Sequence, residues 1–269
     1  VAKCVAILQR NPHSVSTYLS KDQSLENSGV PFIAVPTTAG SGSEVTPFAT
    51  VWDMETHRKY SLEHRWMFAS NAIVDPTLTH TMSPYQTAVT GMDALTQATE
   101  AYWSKHSQPI SDMYALRAAR QVFDSLEEAC LVGSAHARTA MAQASLLAGL
   151  AFSNTKTTIC HSLSYPMTAH FGVFHGQAVS ITLAPFLLWN ADSISAKLPP
   201  LLDAIGATGP EDAADRIRRL MENINLATDF HTLGLSKEDV ELVLAEGFYA
   251  DRADNNPRPI GIEDARSIL

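Results

Sequence analysis

Three stretches of this 269-residue chain carry side chains able to do chemistry. In Cys160–Gly176, CHSLSYPMTAHFGVFHG, three of the chain's ten histidines fall close together: His161, His170 and His175. His161 and Tyr165 are four residues apart and share a helix face. A straight helix would hold His161 and His175 about 21 Å apart, but Pro166 and Gly172 allow a bend that returns His175 toward His161. In the second stretch, Asp93, Gln97 and Glu100 stand at i, i+4 and i+7, hence on one face. A carboxylate among Ala88, Val89, Met92, Ala94 and Leu95 is costly to bury unless it is paired or bound to a metal. Imidazoles with a carboxylate are borderline ligands suited to Fe²⁺ or Zn²⁺; packed core histidines and a capping or surface Asp93 are the alternative. The third stretch is Thr37–Glu44, TTAGSGSE, directly after the apolar run Pro31–Val35. Small residues after a strand can present backbone N–H groups to a phosphate. The Gly-Lys-Ser/Thr ending of a P-loop is missing and G-x-S-x-G is not matched, so a plain loop is the alternative here.

The elements that must position these groups change character near Met82. Val1–Leu8 has the pattern of an amphipathic helix, and Asn11–Gly29 that of a polar loop. Pro31–Val35 has the composition of a buried strand, Phe48–Trp52 and Lys59–Leu62 form a hairpin across Asp53–Arg58, and Ala72–Val74 is a further strand. Ser83-Pro84 then starts a helix with proline in its first turn. The pattern stays helical over Pro84–Trp103, Ile110–Cys130, Ala135–Asn154, His161–His170, Gly176–Asn190, Ile194–Ala204, Pro210–Ile224, Lys237–Ala250 and Ile262–Leu269. Strand-and-turn sequence followed by a run of helices predicts two domains, 1–82 and 83–269. Val1 is not a start methionine and no N-cap precedes the first helix, so an N-terminal portion is expected ahead of it.

Composition removes several classes. Apolar residues make up 45% of the chain, enough for a sizeable core. Charged residues are 17%, against about 25% in a typical domain, which predicts a surface partly covered by neighbours and hence a homo-oligomer, a dimer or larger. Nineteen basic against 28 acidic side chains leave a net charge of −9, which argues against nucleic acid. The longest apolar run, Ala178–Trp189, is too short to span a bilayer and contains Pro185. No signal peptide is expected. Cys4, Cys130 and Cys160, an odd number without a C-x-x-C, are expected to be reduced thiols in a cytoplasmic protein.

Taken together, PTTAGSGSEVT, GMDALTQATEAYW and HSLSYPMTAHFGVFHG, with ADRADNNPRP at Ala250–Pro259, resemble the iron-containing (group III) alcohol dehydrogenase family, in the right order over essentially the whole chain. Within it, Gln97 and Asn154–Pro166 look most like the phosphonoacetaldehyde reductases. The resemblance implies an α/β N-terminal dinucleotide-binding domain, here truncated, followed by an all-α helical domain, in a dehydroquinate synthase-like architecture with the active site in the cleft between them. Family members carry a GGGS phosphate-binding loop before the helix with which this chain opens. The first quarter of a full-length enzyme is therefore expected to precede Val1, and with it most of the pyrophosphate site.

By position, Asp93, His161 and His175 match three of the family's metal ligands. Gln97 stands where the fourth, a histidine, is usual, and Tyr165 where a further histidine is usual. Thr37, Thr38 and Ser41 match positions that touch the NADH or NADPH cofactor, and Lys59 a basic residue beside its ribose and phosphates. The implied reaction is reduction of a small aldehyde to its primary alcohol, phosphonoacetaldehyde to 2-hydroxyethylphosphonate, by hydride transfer with a divalent metal as Lewis acid. Tyr165 and His170 are candidate proton donors, with packing roles as the alternative. A phosphonate needs a local cation in this acidic chain. Lys156 with Thr157 and Thr158 answers that need, unless Lys156 is a solvated helix end; Arg252 and Asn256 are further candidates. The competing readings are a short-chain alcohol or propanediol dehydrogenase of the same family, a dehydroquinate synthase-like lyase, and an inactive fragment.

Overall fold

A computed structural model of the chain describes residues 1–53, 55–56, 58–248 and 250–269. The part before Pro84 holds two short helices and four strands: α1 Ala2–Leu8, α2 Val15–Leu19, β1 Ile33–Ala34, β2 Phe48–Asp53, β3 Arg58–Glu63 and β4 Asn71–Ala72. β2 and β3 pair antiparallel, Phe48 opposite Glu63 and Asp53 opposite Arg58. This is the expected hairpin; Met54 and His57 in its turn lie outside the described residues. A small core of Cys4, Ile7, Tyr18, Ala49, Leu62 and Met67 joins α1 and α2 to the hairpin. Lys3 crosses from α1, its ammonium donating to the carbonyls of Thr46 and Phe48 at 2.6 and 3.0 Å.

Among the described residues every regular element after Ser83 is a helix: α3 Pro84–Trp103, α4 Pro109–Leu131, α5 Ala135–Thr155, α6 Ile159–Phe171, α7 His175–Ser180, α8 Leu183–Asn190, α9 Leu198–Ile205, α10 Pro210–Asn223, α11 Lys237–Glu246, α12 Ala250–Ala253 and α13 Ile262–Ile268. α3 starts where Ser83 and Pro84 predict, the Ser83 hydroxyl accepting from the Gln86 N–H. From Thr87 to Trp103 every residue of α3 except Thr90 is buried. The helix therefore has no solvent face there, and Asp93, Gln97 and Glu100 project into the protein. α3, α4 and α5 pack as a layer on alanines and a few large side chains, Met92, Leu95, Leu126 and Met141 among them.

Five expectations need correction. Pro31–Val35 is not a buried strand: only Ile33 and Ala34 pair, in parallel with Asn71 and Ala72, and Ile33 and Val35 are 59% and 45% exposed. An apolar run reports that it can be buried; burial itself depends on what packs on it, and the flanking prolines lack the N–H to lengthen the ladder. The polar stretch Asn11–Gly29 contains α2, capped by Ser14. The expected helix Gly176–Asn190 is two helices, α7 and α8. Pro185 has no N–H for the Ile181 carbonyl, so the chain turns and starts again. α9 begins at Leu198, later than predicted, because Pro199 and Pro200 fit a first helical turn. The predicted helix Lys237–Ala250 ends at Glu246, and Tyr249 lies outside the described residues.

The glycines of Thr37–Glu44 serve contact between elements. A Cβ on Gly40 would meet Thr90 of α3 at 2.7 Å, and one on Gly42, whose φ is +54°, would meet the backbone of Gly149 in α5 at 2.5 Å. Their smallness lets the loop seat on the helical layer. Gly149 is reciprocally close, since a Cβ there would fall 2.8 Å from the Gly42 Cα and from Val45. Gly149→Ala should therefore destabilise the protein by about 1–3 kcal/mol, despite the ~1 kcal/mol that alanine gains over glycine within a helix. A urea midpoint equal to or above the parent's would show that this seat is not close-packed.

Candidate metal and active site

α3, α6 and α7 bring Asp93, His161 and His175 together, with one ligand atom from each within 4.8 Å of the others. The bend is made at Gly172, whose φ of +66° ends α6 in a left-handed cap. Pro166 stays inside α6 without ending it. The chain turns over Gly172–Phe174 and restarts at His175, and the His161 and His175 rings end 5.4 Å apart between centroids. Gly176 sets how closely α7 approaches α3: a Cβ there would fall 1.7 Å from the Val89 carbonyl oxygen, one turn before Asp93.

The ligand atoms face one another. His161 Nε2 lies 3.5 Å and His175 Nε2 4.0 Å from Asp93 Oδ1. The other nitrogen of each ring is turned away. His161 Nδ1 meets Glu100 Oε2 at 2.5 Å. Ser164 donates its only hydroxyl proton to the His161 carbonyl at 2.7 Å, so its 3.4 Å contact with His175 Nδ1 is one in which the imidazole donates. Asp93 Oδ1 and Gln97 Oε1 are buried without a hydrogen-bond donor. An orphaned carboxylate oxygen and two imidazole nitrogens within 4.8 Å of one another, with the buried Gln97 amide lining the same cleft, fit a divalent cation of the iron or zinc kind.

The electrostatics agree. Burial raises the pKa of Asp93, but its contact with His161 and the charges of both imidazoles hold it below the usual carboxylate value. Burial likewise raises Glu100, and His161 beside it more than offsets that. Burial lowers His161, yet Glu100 and then Asp93 lift it to about 10. Partial burial lowers His175, against the attraction of Asp93. The carboxylates that hold a proton on His161 also attract a cation, which would displace that proton on binding.

The cluster opens on a cleft of about 490 Å³ lined also by Ser41, Trp52, Lys59, Phe152, Thr157, Tyr165 and Arg252. A second cavity of about 430 Å³ adjoins it, sharing Ala2, Lys3, Ser41 and Ser43 and continuing past Thr38 and Glu44 to the exposed β1. The two cavities meet at Ala2, Lys3, Ser41 and Ser43, and the ligand cluster lines only the first of them. Tyr165 lies over His175, rings 12° from parallel with centroids 6.3 Å apart, and Trp52 meets it edge-on. Lys59 Nζ stands 4.1 Å from the Tyr165 ring centre. Burial raises the Tyr165 phenol, but Lys59, then Arg252 and His161, bring it below its ordinary value.

Of the residues singled out from sequence, Asp93, Gln97, His161, His175, Tyr165, Lys59, Ser41 and Thr157 line the cleft, and Thr38 lines its extension. Thr37 is exposed and lines neither. His170 is not brought to the cleft: it points from the other side of α6 to Glu246, at 2.8 Å. Five residues separate it from Tyr165, enough to turn it off that face. Lys156 is also elsewhere, with φ +60° and its ammonium 2.9 Å from Glu63 at the end of β3. Thr158 is wholly buried and does not line the cleft; it accepts from Trp103 Nε1 at 2.8 Å and donates to Glu100 at 2.6 Å. Asn256 is engaged in a reciprocal amide pair with Asn190. Sequence reasoning placed Glu100 on the Asp93 face but gave it no part in the site. The signal was there, since a third polar group seven residues on, within a buried apolar helix, needs a partner as much as Asp93 does. Arg252, a further candidate from sequence, also lines the cleft, and Lys3 lines it with no motif to announce it.

A family model described as Fe-containing alcohol dehydrogenase family, C-terminal, matches residues 87–269, and one described as iron-containing alcohol dehydrogenase matches residues 1–76. The chain is 33% identical over 280 residues to long-chain-alcohol dehydrogenase 1 of Geobacillus thermodenitrificans, covering 100% of this chain and 70% of that protein. It is 30% identical to the sulfoacetaldehyde reductase of Bilophila wadsworthia, covering 99% and 72%. The crystal structure of sulfoacetaldehyde reductase from Bifidobacterium kashiwanohense in complex with NAD⁺ superposes with a TM-score of 0.93 at 35% identity, covering 99% of this chain and 71% of that one.

If the cluster holds the cation, Asp93→Ala should abolish stoichiometric uptake of Co²⁺ by the chelator-stripped protein, and His170→Ala should leave it within about twofold, as for a surface change remote from the ligands. Equal losses in the two variants would place the ion elsewhere.

Proposed function

The chain belongs to the iron-containing alcohol dehydrogenase family of oxidoreductases, and on that premise we propose that it reduces a small aldehyde carrying a compact anionic head group, phosphonoacetaldehyde to 2-hydroxyethylphosphonate, using NADH or NADPH and a divalent metal. One observation carries the choice of substrate. In a chain of net charge −9, the cleft that holds the ligand cluster is also lined by Lys3, Lys59 and Arg252. A dianionic head group needs that local reversal of charge. Lys156, whose ammonium is paired with Glu63, is replaced in this role by Arg252, whose planar fork suits a phosphonate or sulfonate. The sulfoacetaldehyde reductases among the similar proteins act on an aldehyde of the same length with an anionic end.

Asp93, His161 and His175 would hold the cation, with Gln97 at its margin. When bound, the cation supplies a Lewis acid for the aldehyde oxygen and the reduced nicotinamide supplies the hydride. The chain's own residues do the rest. Trp52, Phe152 and Tyr165 wall the cleft and thin the water around the reacting carbon. Tyr165, its ring over His175 and its phenol beside Lys59, holds a proton within the cleft and is the donor to the oxygen. Thr157, next to Lys156 on the approach to α6, presents its side chain to the same space. Ser41 and Thr38 line the adjoining cavities along which the cofactor would lie. In this reading residues 1–82 are the α/β dinucleotide-binding part and 83–269 the helical part of a dehydroquinate synthase-like architecture, working as a homo-oligomer.

The test compares phosphonoacetaldehyde, sulfoacetaldehyde and propanal under metal-reconstituted conditions. Arg252→Ala should raise KM for both anionic aldehydes by about tenfold or more, the loss of one charge-assisted contact of ~1.5–3 kcal/mol, and should leave propanal within about twofold. Equal effects on all three, or propanal as the best substrate, would favour the short-chain alcohol dehydrogenase reading instead.

A further inference from the structure

Glu100 is fully enclosed, with no exposure to solvent. Its carboxylate accepts from four-residue stretch Thr158–His161 at three points: the Thr158 hydroxyl at 2.6 Å and the Cys160 N–H at 2.7 Å on Oε1, and His161 Nδ1 at 2.5 Å on Oε2. Thr158 is held in turn by Trp103 Nε1, 2.8 Å away on the same helix as Glu100. Trp103 and Glu100 on α3 thus grip the first turn of α6 through Thr158 and Cys160. His161 Nε2 is directed to Asp93 Oδ1, 3.5 Å away. The other imidazole is treated differently. His175 has a single, longer contact at Nδ1, to Ser164 at 3.4 Å, and its side chain is 37% exposed.

From this asymmetry we propose that Glu100 is the positioning residue of the ligand cluster. It fixes His161 in the tautomer and ring orientation that present Nε2 beside Asp93, and the Trp103–Thr158 pair holds Glu100 to that task. The proposal rests on the reading of Asp93, His161 and His175 as a divalent-metal site. Stability alone does not require such a group: a buried carboxylate is costly to desolvate, and apolar residues of similar volume serve a core at least as well. A carboxylate on the far nitrogen of a ligating imidazole, by contrast, raises the basicity of that ligand and sets its direction. His161 is then the rigid ligand of the cluster and His175 the adaptable one.

The probe is Co²⁺, followed by its visible d–d absorption in the chelator-stripped protein, with circular dichroism and thermal unfolding recorded on each variant. The parent should take up one equivalent, and Asp93→Ala none. Glu100→Gln, close in shape but without the charge, should bind about 10–100-fold more weakly, as expected when a partner behind a ligand is lost, and with an altered d–d band. Thr158→Val, which removes one of the three donors to Glu100 and leaves the carboxylate in place, should weaken binding in the same direction but less. The double variant should lose less than the two single losses combined, because both act through one hydrogen-bonded chain. Should Glu100→Gln not fold, the Thr158→Val affinity and spectrum decide the matter. Parental affinity and an unchanged band in folded Glu100→Gln, with Asp93→Ala still inactive in binding, would overturn the role of Glu100 and leave the metal site standing. Failure of the parent itself to take up Co²⁺ would overturn both.

Discussion

The site is governed by a carboxylate oxygen buried without a donor. Asp93 sits in the middle of a helix buried almost all round, and its Oδ1 receives no hydrogen bond. Leaving a charged group in that condition costs several kcal/mol. The fold does not remove the charge. It surrounds the oxygen with two imidazole nitrogens and adds a second carboxylate behind one of them. The result is a small region of negative potential at the foot of a cleft, where a cation lowers the free energy of every group around it.

Convergence of these groups depends on close approach of backbones. His175 comes to Asp93 because Gly176 lets α7 press against the carbonyl of Val89, and the loop that walls the cleft on the other side seats through Gly40 against Thr90 and through Gly42 against Gly149. At each of these contacts a methyl group would separate the elements that the site joins. The same small residues can be mistaken for a phosphate cradle when read along the chain. In three dimensions they are packing contacts that let Thr38 and Ser41 line the adjoining cavities. Charge is distributed to match: an acidic molecule places Lys3, Lys59 and Arg252 in the cleft.

Much of this was legible from residue order. α3 could be placed from Ser83-Pro84 and its apolar period because a cap and a fixed proline φ are local properties. The return of His175 could be anticipated from Gly172 for the same reason. The misjudged parts depend on what is distant in sequence. Lys156 and His170 had suitable chemistry close to His161, but Glu63 and Glu246, 93 and 76 residues away, draw them off. Thr158 was taken for a substrate donor because its partners, Trp103 and Glu100, lie on another helix. The apolar run at Ile33 gave no sign that its faces would stay exposed, since burial is a property of the neighbours. Arg252 was visible only as a cation near the end of the chain, and what makes it notable is the cleft that it lines.

The central claim is that Asp93, His161 and His175 close on one cation. Anomalous diffraction from crystals of the metal-loaded protein, collected on both sides of the metal's absorption edge, tests it most directly. The account predicts a single strong peak bonded to Asp93 Oδ1 and to Nε2 of both histidines at about 2.0–2.2 Å. A peak elsewhere in the molecule, or density in which the three side chains remain bonded only to one another, would contradict it.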